Sequence, residues 1–457
     1  MTIKTVSFNV SSSHPDFEVA ADHCYQVRAL RNGINSILRT KYFRYRYGDD
    51  ADFSIAAEYG LTRANVDSIS KKDHDSLRKI VSLHQGIDLP VKVAQSATRS
   101  LGASWTSFYR LRKKKIKANI PGYSKKYHVA EYNPQAISRK KLKEGWVVPT
   151  GWSTGFALPE QYQKVKSARV VPTGTGFELK VLYEAVSDDR QYTPQQGLMA
   201  GVDPGLNNLF TIGFSDLREG IIVDGKPLKH INSHYNHLIA ELSGKLDKEK
   251  SNISKKINKG LKRTDPGYVH VYRPLSRRLD GLWVKRNRKI KHYYTTATNR
   301  VVDQLCAAGV ETVVIGWNKE NKQRINIGRR NNRKFVQVPL AAILDNLAAK
   351  CAEAGMVVVR TEESYTSKSS FVDNDPLPKH GDGQPRPKFS GKRVRRGLYK
   401  PENGHAFNAD LNGALNIIRK HDLHFSYAEA VQNHNVRMNL VGTGTVACLA
   451  RRMRFAH

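Results

Sequence analysis

The sequence predicts an α/β protein in which a mixed β-sheet is flanked by helices and preceded by a β-rich N-terminal module. Two observations carry this prediction. From about residue 199 onward, short apolar runs rich in β-branched residues alternate with stretches of helical periodicity. In the N-terminal region, the alternating pattern of residues 168–183 predicts a hairpin, and helical spacing precedes it. A chain of 457 residues is long enough for two or three domains.

The composition is strongly basic. Lys and Arg together number 75 against 41 Asp and Glu, which gives a formal net charge of +34. Such a surface concentrates polyanions, and phosphate contacts supply most of the affinity for nucleic acid. No segment approaches the roughly 20 apolar residues that a membrane-spanning helix requires, and the N-terminus lacks the apolar run of a secretory signal. We therefore expect a cytoplasmic protein that binds nucleic acid and has no membrane partner.

Basic and aromatic residues are interleaved in the N-terminal region, in residues 41–47 and again in residues 105–115. Aromatic rings can stack on unpaired bases while neighbouring cations hold phosphates, a combination suited to RNA. A solvated helix face with ordinary core aromatics explains any single residue equally well, so the clusters carry weight only together. The candidate nucleic-acid-binding residues here are Trp105, Tyr109, Arg110, Arg112, Lys113 and Lys114.

The second half of the chain predicts the mixed sheet. Short strands end at 201–205 and span 209–214 and 220–223, and a long helical region follows them. The apolar runs 312–315 and 356–361 are separated by a helix at 340–354, as in a parallel βαβ unit. The cysteines are scattered, without a pair at metal-ligand spacing, so neither a disulfide framework nor a zinc site is expected.

Carboxylates stand at three element ends in this half of the chain. Asp203 directly follows an apolar strand, Glu362 and Glu363 end another, and Asp410 opens a helix in which Ala414 allows close approach to the sheet. Residues from these distant segments can converge on one sheet edge. Hard divalent cations prefer oxygen ligands, and two such ions held by shared carboxylates stabilise the attacking and leaving oxygens of a phosphodiester.

At this point the sequence resembles a known family. Residues 201–208 (Gly-Val-Asp-Pro-Gly-Leu-Asn-Asn), 313–320 (Val-Val-Ile-Gly-Trp-Asn-Lys-Glu), 362–368 (Glu-Glu-Ser-Tyr-Thr-Ser-Lys) and 408–417 (Asn-Ala-Asp-Leu-Asn-Gly-Ala-Leu-Asn-Ile) occur in the order of the split RuvC domain of TnpB proteins and compact type V CRISPR effectors. The resemblance covers residues 199–420 well and residues 105–140 more loosely.

The resemblance implies an RNase H-like (RuvC) mixed sheet with flanking helices, split by insertions, and we expect the N-terminal module to be β-barrel-like with a helical insertion. It implies an RNA-guided DNA endonuclease whose partners are a guide RNA and double-stranded target DNA bearing a short adjacent motif. The cofactor would be Mg²⁺ or Mn²⁺, in two ions. By motif match, Asp203 is the first metal ligand and Asp410 the third.

The sequence departs from the family pattern at the middle ligand. Many relatives carry a glutamate at the end of the strand equivalent to 312–316, where this chain has Ile315, Gly316 and Trp317. Glu362 or Glu363, one strand later, is the expected substitute. Successive side chains of an extended strand point to opposite faces, so only one of the two should reach the metals. The sequence leaves open which one.

A second departure lies between 368 and 408, where relatives often carry a four-cysteine zinc ribbon. This segment has no cysteine and should fold without zinc. Its basic residues are candidates for nucleic-acid contact: Lys392, Arg393, Arg395 and Arg396. Charge in the helical region 232–300 suggests a wall along the A-form guide–target duplex, with the candidates Lys285, Arg286, Arg288 and Lys289.

These observations divide the chain into three regions. Residues 1–198 form a nucleic-acid-recognition lobe with a helical insertion at about 15–100. Residues 199–420 form the nuclease domain, with a helical insertion at about 232–300 and the cysteine-free loop at about 368–408. Residues 421–457 are a tail without an interpretable motif. Two other functions stay open: an RNA-guided DNA-binding repressor that no longer cuts, and a transposase of the RNase H-like class. The sequence does not indicate the oligomeric state.

Overall fold

A computed structural model describes residues 2–50, 52–70, 73–160, 162–185, 192–262, 265, 267–272, 276–317, 337–379, 387–395, 397–434 and 450–453. The chain forms two compact units, Met1–Ser187 and Asp188–His457. Among the described residues, no helix combines the length and the apolar character needed to cross a membrane.

The first unit is built from an antiparallel sheet and a group of helices. Its strands are β1 (Thr2–Val10), β2 (Ala130–Tyr132), β3 (Trp146–Val147), β4 (Phe156–Ala157), β5 (Tyr162–Pro172) and β6 (Phe177–Ala185). Its helices are α1 (Phe17–Tyr47), α2 (Ser54–Glu58), α3 (Arg63–Ser68), α4 (His74–His84), α5 (Val91–Lys113) and α6 (Arg139–Lys143), and Gly48–Asp50 and Pro134–Ala136 form 3₁₀ turns.

The predicted hairpin of residues 168–183 is confirmed as β5 and β6, and alternate residues of β6 are buried. The β-barrel-like module is wrong: the main sheet has the open order β1-β6-β5-β2. Four strands are too few to close around a core of side chains. Helices α1 and α5 instead pack on this sheet, and their apolar residues share one hydrophobic core with it.

The second unit contains a larger sheet with helices before, between and after its strands. The strands are β7 (Gln195–Pro204), β8 (Asn208–Phe214), β9 (Gly220–Asp224), β10 (Val310–Gly316), β11 (Val357–Thr361), β12 (Lys392–Arg395), β13 (Leu398–Lys400), β14 (Phe407–Asn408) and β15 (Ala450–Met453). The helices are α7 (Lys226–Ile257), α8 (Arg277–Ala307), α9 (Leu340–Glu353), α10 (Ala409–His421) and α11 (Tyr427–His434).

Six strands of this unit form a mixed sheet of order β11-β10-β7-β8-β9-β15. Strands β7, β8 and β9 are successively antiparallel, whereas β10 runs parallel to β7 and β11 runs parallel to β10. The predicted parallel βαβ unit is therefore confirmed, with α9 as its helix. Strand β15 adds to the edge beside β9, so the tail that had no interpretable motif contributes to the sheet.

Helix α10 packs unusually close to β7 because glycines remove the side chains between them. A Cβ atom on Gly201 of β7 would lie 2.1 Å from the carbonyl oxygen of Ala414, and one on Gly413 would lie 2.9 Å from a carboxylate oxygen of Asp203. Both distances are too short for real atoms. The close approach that the sequence predicted at Ala414 is confirmed, and it depends on these two glycines.

Two buried asparagines of α10 bind the segment that follows β11. The Asn412 amide donates to the carbonyl of Ser369 (2.8 Å) and accepts from the backbone N–H of Phe371 (3.0 Å). The Asn416 amide donates to the carbonyls of Thr366 (2.9 Å) and Ser369 (2.7 Å). Because buried backbone groups need partners, this network fixes the path of the chain immediately after Glu363.

Two aspartates hold the cysteine-free loop together. Asp375 accepts hydrogen bonds from the backbone N–H groups of Ser370 (2.8 Å) and Ser390 (3.1 Å), and from the Ser390 hydroxyl. Asp373 accepts from the Ser370 hydroxyl (2.6 Å) and from the backbone N–H of Asn403 (2.9 Å). Each of these carboxylates thus joins segments of the loop that are distant in sequence, as a bound metal ion can also do.

We predict that this loop depends on its carboxylates and not on zinc. Asp375→Ala should lower the free energy of unfolding by about 3 kcal/mol, because it leaves several buried donors without an acceptor. A zinc-selective chelator should leave the melting temperature of the native protein unchanged. Thermal unfolding measures both effects, with Glu241→Ala, which removes an exposed ion pair with Lys245, as the control. Stoichiometric zinc in the pure protein, lost together with stability on chelation, contradicts the prediction.

Candidate active site

The carboxylate of Asp203 lies at the C-terminal end of the central strand β7, where the register pairs Asp203 with Thr211 of β8. The preceding Val202 is buried in the core under the sheet. Asp203 and Asp410 both line a cleft of about 830 Å³ whose wall also carries Asn208, Lys226 and Arg393. The sequence prediction that these two acids converge agrees with this geometry.

Asp410 lies in the first turn of α10, where the side chain of the N-cap residue Asn408 accepts from its backbone N–H (2.9 Å). Its own carboxylate has two partners of different kinds. One oxygen accepts from the amide of Asn208 (2.7 Å), and the other accepts from the guanidinium of Arg393 (2.7 Å). Asn208 follows the turn after Asp203, so the first motif both provides one acid and orients the other.

The electrostatics of Asp203 show that the site is short of positive charge. Burial raises the pKa of Asp203 well above its ordinary value, and the negative charges of Asp410 and Glu363 raise it further. The Arg393 guanidinium acts in the opposite direction but does not cancel these effects. Asp410 and Glu363, from two further segments, are therefore each close enough to repel a charged Asp203.

The structure separates the two glutamates that the sequence left equivalent. Glu362 forms an ion pair with Lys420 (2.6 Å), whose side chain is largely buried, and it accepts from the backbone N–H of Ser364 (2.5 Å). Burial alone would raise the pKa of Glu362, but the hydrogen bonds from Lys420 and Ser364 outweigh burial and lower it. Glu362 is thus neutralised outside the acid cluster.

The side chain of Glu363, which follows β11, instead reaches the end of β10, beside the position where relatives carry their acid. A Cβ atom on Gly316 would be 3.2 Å from a carboxylate oxygen of Glu363. Gly316 pairs with Thr361, two residues before Glu363, in the parallel register of β10 and β11. A side chain at 316 would crowd this carboxylate and, more severely, the Ile417 side chain, whose Cδ1 atom would lie 2.6 Å from the added Cβ. Glu363 is not part of the wall of the cleft itself.

The residues present fit divalent cations in chemistry. Mg²⁺ and Mn²⁺ prefer oxygen ligands, and Asp203, Glu363 and Asp410 supply carboxylates whose mutual repulsion a cation would relieve. Within the described part of the chain, no three His, Cys, Asp or Glu side chains are already gathered closely enough to hold a metal ion. Arg393 pairs with one oxygen of Asp410, so a cation would share that carboxylate with the guanidinium group.

Two predicted nucleic-acid-binding residues are corrected by the structure. Trp105 is 4% exposed and donates to the side chain of Asn35, so its ring is not available to a base. Arg286 is 6% exposed and donates to the side chain of Asn232 and the carbonyl of Gln337. Helical spacing was the available signal, since Trp105 follows the buried Leu101 by four residues.

The other candidates have different surroundings. Arg396 lies outside the described residues. Arg393 contacts Asp410 at the cleft, and the remaining candidates are exposed: Tyr109, Arg110, Arg112, Lys113, Lys114, Lys285, Arg288, Lys289, Lys392 and Arg395. Sequence reasoning missed Asn208, Lys226 and Lys420. Asn208 stood inside the first motif, but no pattern in the sequence indicates that Lys420 faces Glu362.

Comparison with known proteins agrees with the four motifs. Residues 180–322 match the OrfB_IS605 family, described as a probable transposase, and residues 341–417 match the family described as Cas12f1-like, TNB domain. The TnpB-like protein ORF457 of Acidianus two-tailed virus is 24% identical over 229 residues, which are 50% of this chain and 42% of that protein. The chain therefore matches less than half the length of this curated relative.

Two solved structures are similar at low sequence identity. A Cas12f1–sgRNA–target DNA complex has 14% identity and a TM-score of 0.45, with 88% of this chain and 82% of that chain covered. The mini RNA-guided endonuclease CRISPR-Cas phi3 has 12% identity and a TM-score of 0.41, with 91% and 92% covered. The family matches and the viral relative confirm the resemblance to TnpB proteins and compact type V effectors that the motifs predicted.

Proposed function

We propose that this protein is an RNA-guided DNA endonuclease with an RNase H-like, RuvC-type centre. The observation that carries the proposal is the convergence of Asp203, Glu363 and Asp410 on one end of the mixed sheet, where their charges raise the pKa of Asp203. The mixed sheet, interrupted between β9 and β10 by α7 and α8, supports the RuvC-type architecture. The resemblance to TnpB proteins supports the guided mode of action.

In this proposal the three acids would hold two divalent cations, Mg²⁺ or Mn²⁺. When bound, these ions would supply charge stabilisation for the attacking and leaving oxygens of the phosphodiester. The protein's own groups position the reactants: Asn208 orients the carboxylate of Asp410, and Arg393 and Lys226 place positive charge along the cleft for the phosphate backbone. Glu362 stays paired with Lys420 and does not take part.

The proposed partners are a guide RNA and a double-stranded target with a short adjacent motif. The formal net charge of +34 favours polyanionic partners. The exposed cations of α5 and α8 are suited to the backbone of an A-form duplex, which proteins recognise by shape and charge. A role of Lys392 and Arg395 in contacting the target strand near the cleft belongs to the same proposal.

A second candidate function is an RNase H-like transposase, favoured by the description of the family that matches residues 180–322. Such an enzyme would use the same acids but would not need RNA. The repressor alternative is disfavoured because both motif aspartates are present and adjacent to a cleft. Dependence of cleavage on a co-purified RNA of defined sequence separates the guided nuclease from the transposase.

We predict that Asp203→Ala and Asp410→Ala each abolish cleavage and leave guided binding within about twofold, because each removes a cation ligand but no phosphate contact. Cleavage and binding of a matching target should be measured with protein purified with its RNA, before and after ribonuclease treatment. Asp345→Asn, which changes an exposed aspartate paired with Arg360, is the control. Cutting at the native rate by either alanine variant, or cutting that survives removal of the RNA, contradicts the proposal.

We predict that substitution of Glu363 affects the cleavage rate, whereas substitution of Glu362 affects stability. Glu363→Gln should lower the cleavage rate roughly a hundredfold or more. Replacing a residue that only supports a metal ligand can cost up to about a hundredfold, and Glu363 is proposed to be a ligand itself. Glu362→Gln should leave the rate nearly unchanged but lower the free energy of unfolding by about 1 kcal/mol, since Lys420 loses a partly solvent-screened partner. Rates at saturating guide, target and Mg²⁺, together with thermal unfolding, measure both. A near-native rate of Glu363→Gln would show that the ligand lies elsewhere, and equal losses in both variants would contradict the separation of the two glutamates.

We predict that Arg393 competes with cations for Asp410 and also contributes positive charge to the bound phosphate. Arg393→Gln should therefore lower the Mg²⁺ concentration that gives half-maximal cleavage, and should lower the maximal rate about tenfold, the effect of losing a charge-assisted contact. Lys400→Gln, which removes an exposed cation from the neighbouring strand β13, is the matched control. Titration of cleavage with Mg²⁺ gives both quantities. If the two variants behave alike, Arg393 has no special role at the site.

A further inference from the structure

A cavity of about 570 Å³ lies in the first unit, between the C-terminal half of α1, helix α2 and the segment after α5. One wall is formed by Arg39, Phe43 and Tyr47, which are spaced four residues apart and therefore share a face of α1. The opposite wall carries Asp52, Ile55 and Tyr123. The volume lies within the range of small-molecule sites, which runs from about 300 to 1,000 Å³.

The planar side-chain groups of this cavity lie in a row, each in contact with the next. The Arg39 guanidinium lies 4.9 Å from the ring centre of Tyr123 and 5.9 Å from that of Phe43. The rings of Phe43 and Tyr47 are stacked, with centres 6.2 Å apart and planes inclined by 23°. Tyr47 is 54% and Tyr123 is 50% exposed, so about half of each side chain is open to the solvent, while the guanidinium groups of Arg46 and Arg39 lie 5.4 Å and 4.9 Å from the respective ring centres. An exposed row of planar groups is a surface on which another flat ring can stack.

The charges of the cavity are held in fixed positions. Arg39 donates to the carbonyl of Pro121 (2.9 Å) and, within the described part of the chain, has no carboxylate as an ion-pair partner. Asp52 accepts from the backbone N–H of Ser54 (2.9 Å), and this hydrogen bond lowers the pKa of Asp52, so the group is an anionic acceptor. A cation suited to phosphate and an acceptor suited to N–H groups thus lie at opposite walls.

We propose that this cavity binds one unpaired nucleobase of a single-stranded nucleic acid, and that guanine fits it best. The base would stack on Tyr47 and Tyr123, its phosphate would lie near Arg39, and Asp52 would accept hydrogen bonds from the base edge. Guanine presents adjacent N–H groups on its Watson–Crick edge, whereas uracil places carbonyl oxygens on both sides of its single N–H, which a carboxylate repels. The proposal does not depend on cleavage, because it concerns the first unit alone.

The test is the affinity of the full chain for hexanucleotides that are all uridine or carry one central guanosine. We expect about tenfold tighter binding of the guanosine hexamer, the order of one well-formed base contact. Asp52→Asn should abolish this preference while retaining the affinity for the uridine hexamer. Tyr47→Ala should weaken both hexamers about tenfold through lost stacking. The control is Tyr45→Ala, which removes a tyrosine that is 91% exposed on the same helix and is not part of the cavity.

Deoxy versions of the two hexamers identify the strand that the cavity serves. A guanine preference in RNA, in DNA or in both supports the proposal and assigns the source of the base. Circular dichroism of each variant confirms that α1 is intact. Absence of a guanine preference in the native chain overturns the proposal, and so does a preference that survives Asp52→Asn. A loss caused equally by Tyr45→Ala would also overturn it, because nonspecific stacking on α1 would then explain the binding.

Discussion

The close packing of α10 on the central strand β7 is the contact on which the second unit depends. Glycines at 201 and 413 bring the helix backbone against the strand, and this contact places Asp410 beside Asp203. The buried Asn412 and Asn416 of the same helix then hold the chain that follows β11. Helix α10 therefore positions all three acids. It carries Asp410, it packs against the strand that carries Asp203, and it fixes the segment that follows Glu363.

This arrangement stores electrostatic strain where the chemistry is proposed. Burial and like charges raise the pKa of Asp203, so the fold makes the charged form of this group, the form that a cation would bind, less favourable than it is in water. Arg393 supplies partial compensation through Asp410. Active sites commonly sacrifice stability in this way, because a site that is satisfied in isolation has little left to offer a cofactor or a substrate.

Hydrophobic periodicity was sufficient to predict the strands, the parallel βαβ unit and the acids at the ends of elements, because these depend on local pattern. It could not choose between the two glutamates, since the choice depends on space left by Gly316 and on the distant Lys420. Trp105 and Arg286 were assigned to nucleic acid by residue type, although their helical spacing places both on buried faces. The predicted barrel-like module is wrong because closure of a barrel depends on the number of strands in one sheet. Local turn and propensity signals do not reveal that number.

The contact between Gly201 and Ala414 also joins points about 200 residues apart in the chain. The entropy of closing such a loop rises only with the logarithm of its length, so each doubling costs only about 0.6 kcal/mol. Segments between the motifs, such as the long helices α7 and α8, can consequently be lengthened or exchanged with little thermodynamic penalty. The penalty falls on kinetics, because contacts of long sequence separation form slowly. A domain split in this way can acquire new insertions over evolution while its centre is assembled late in folding.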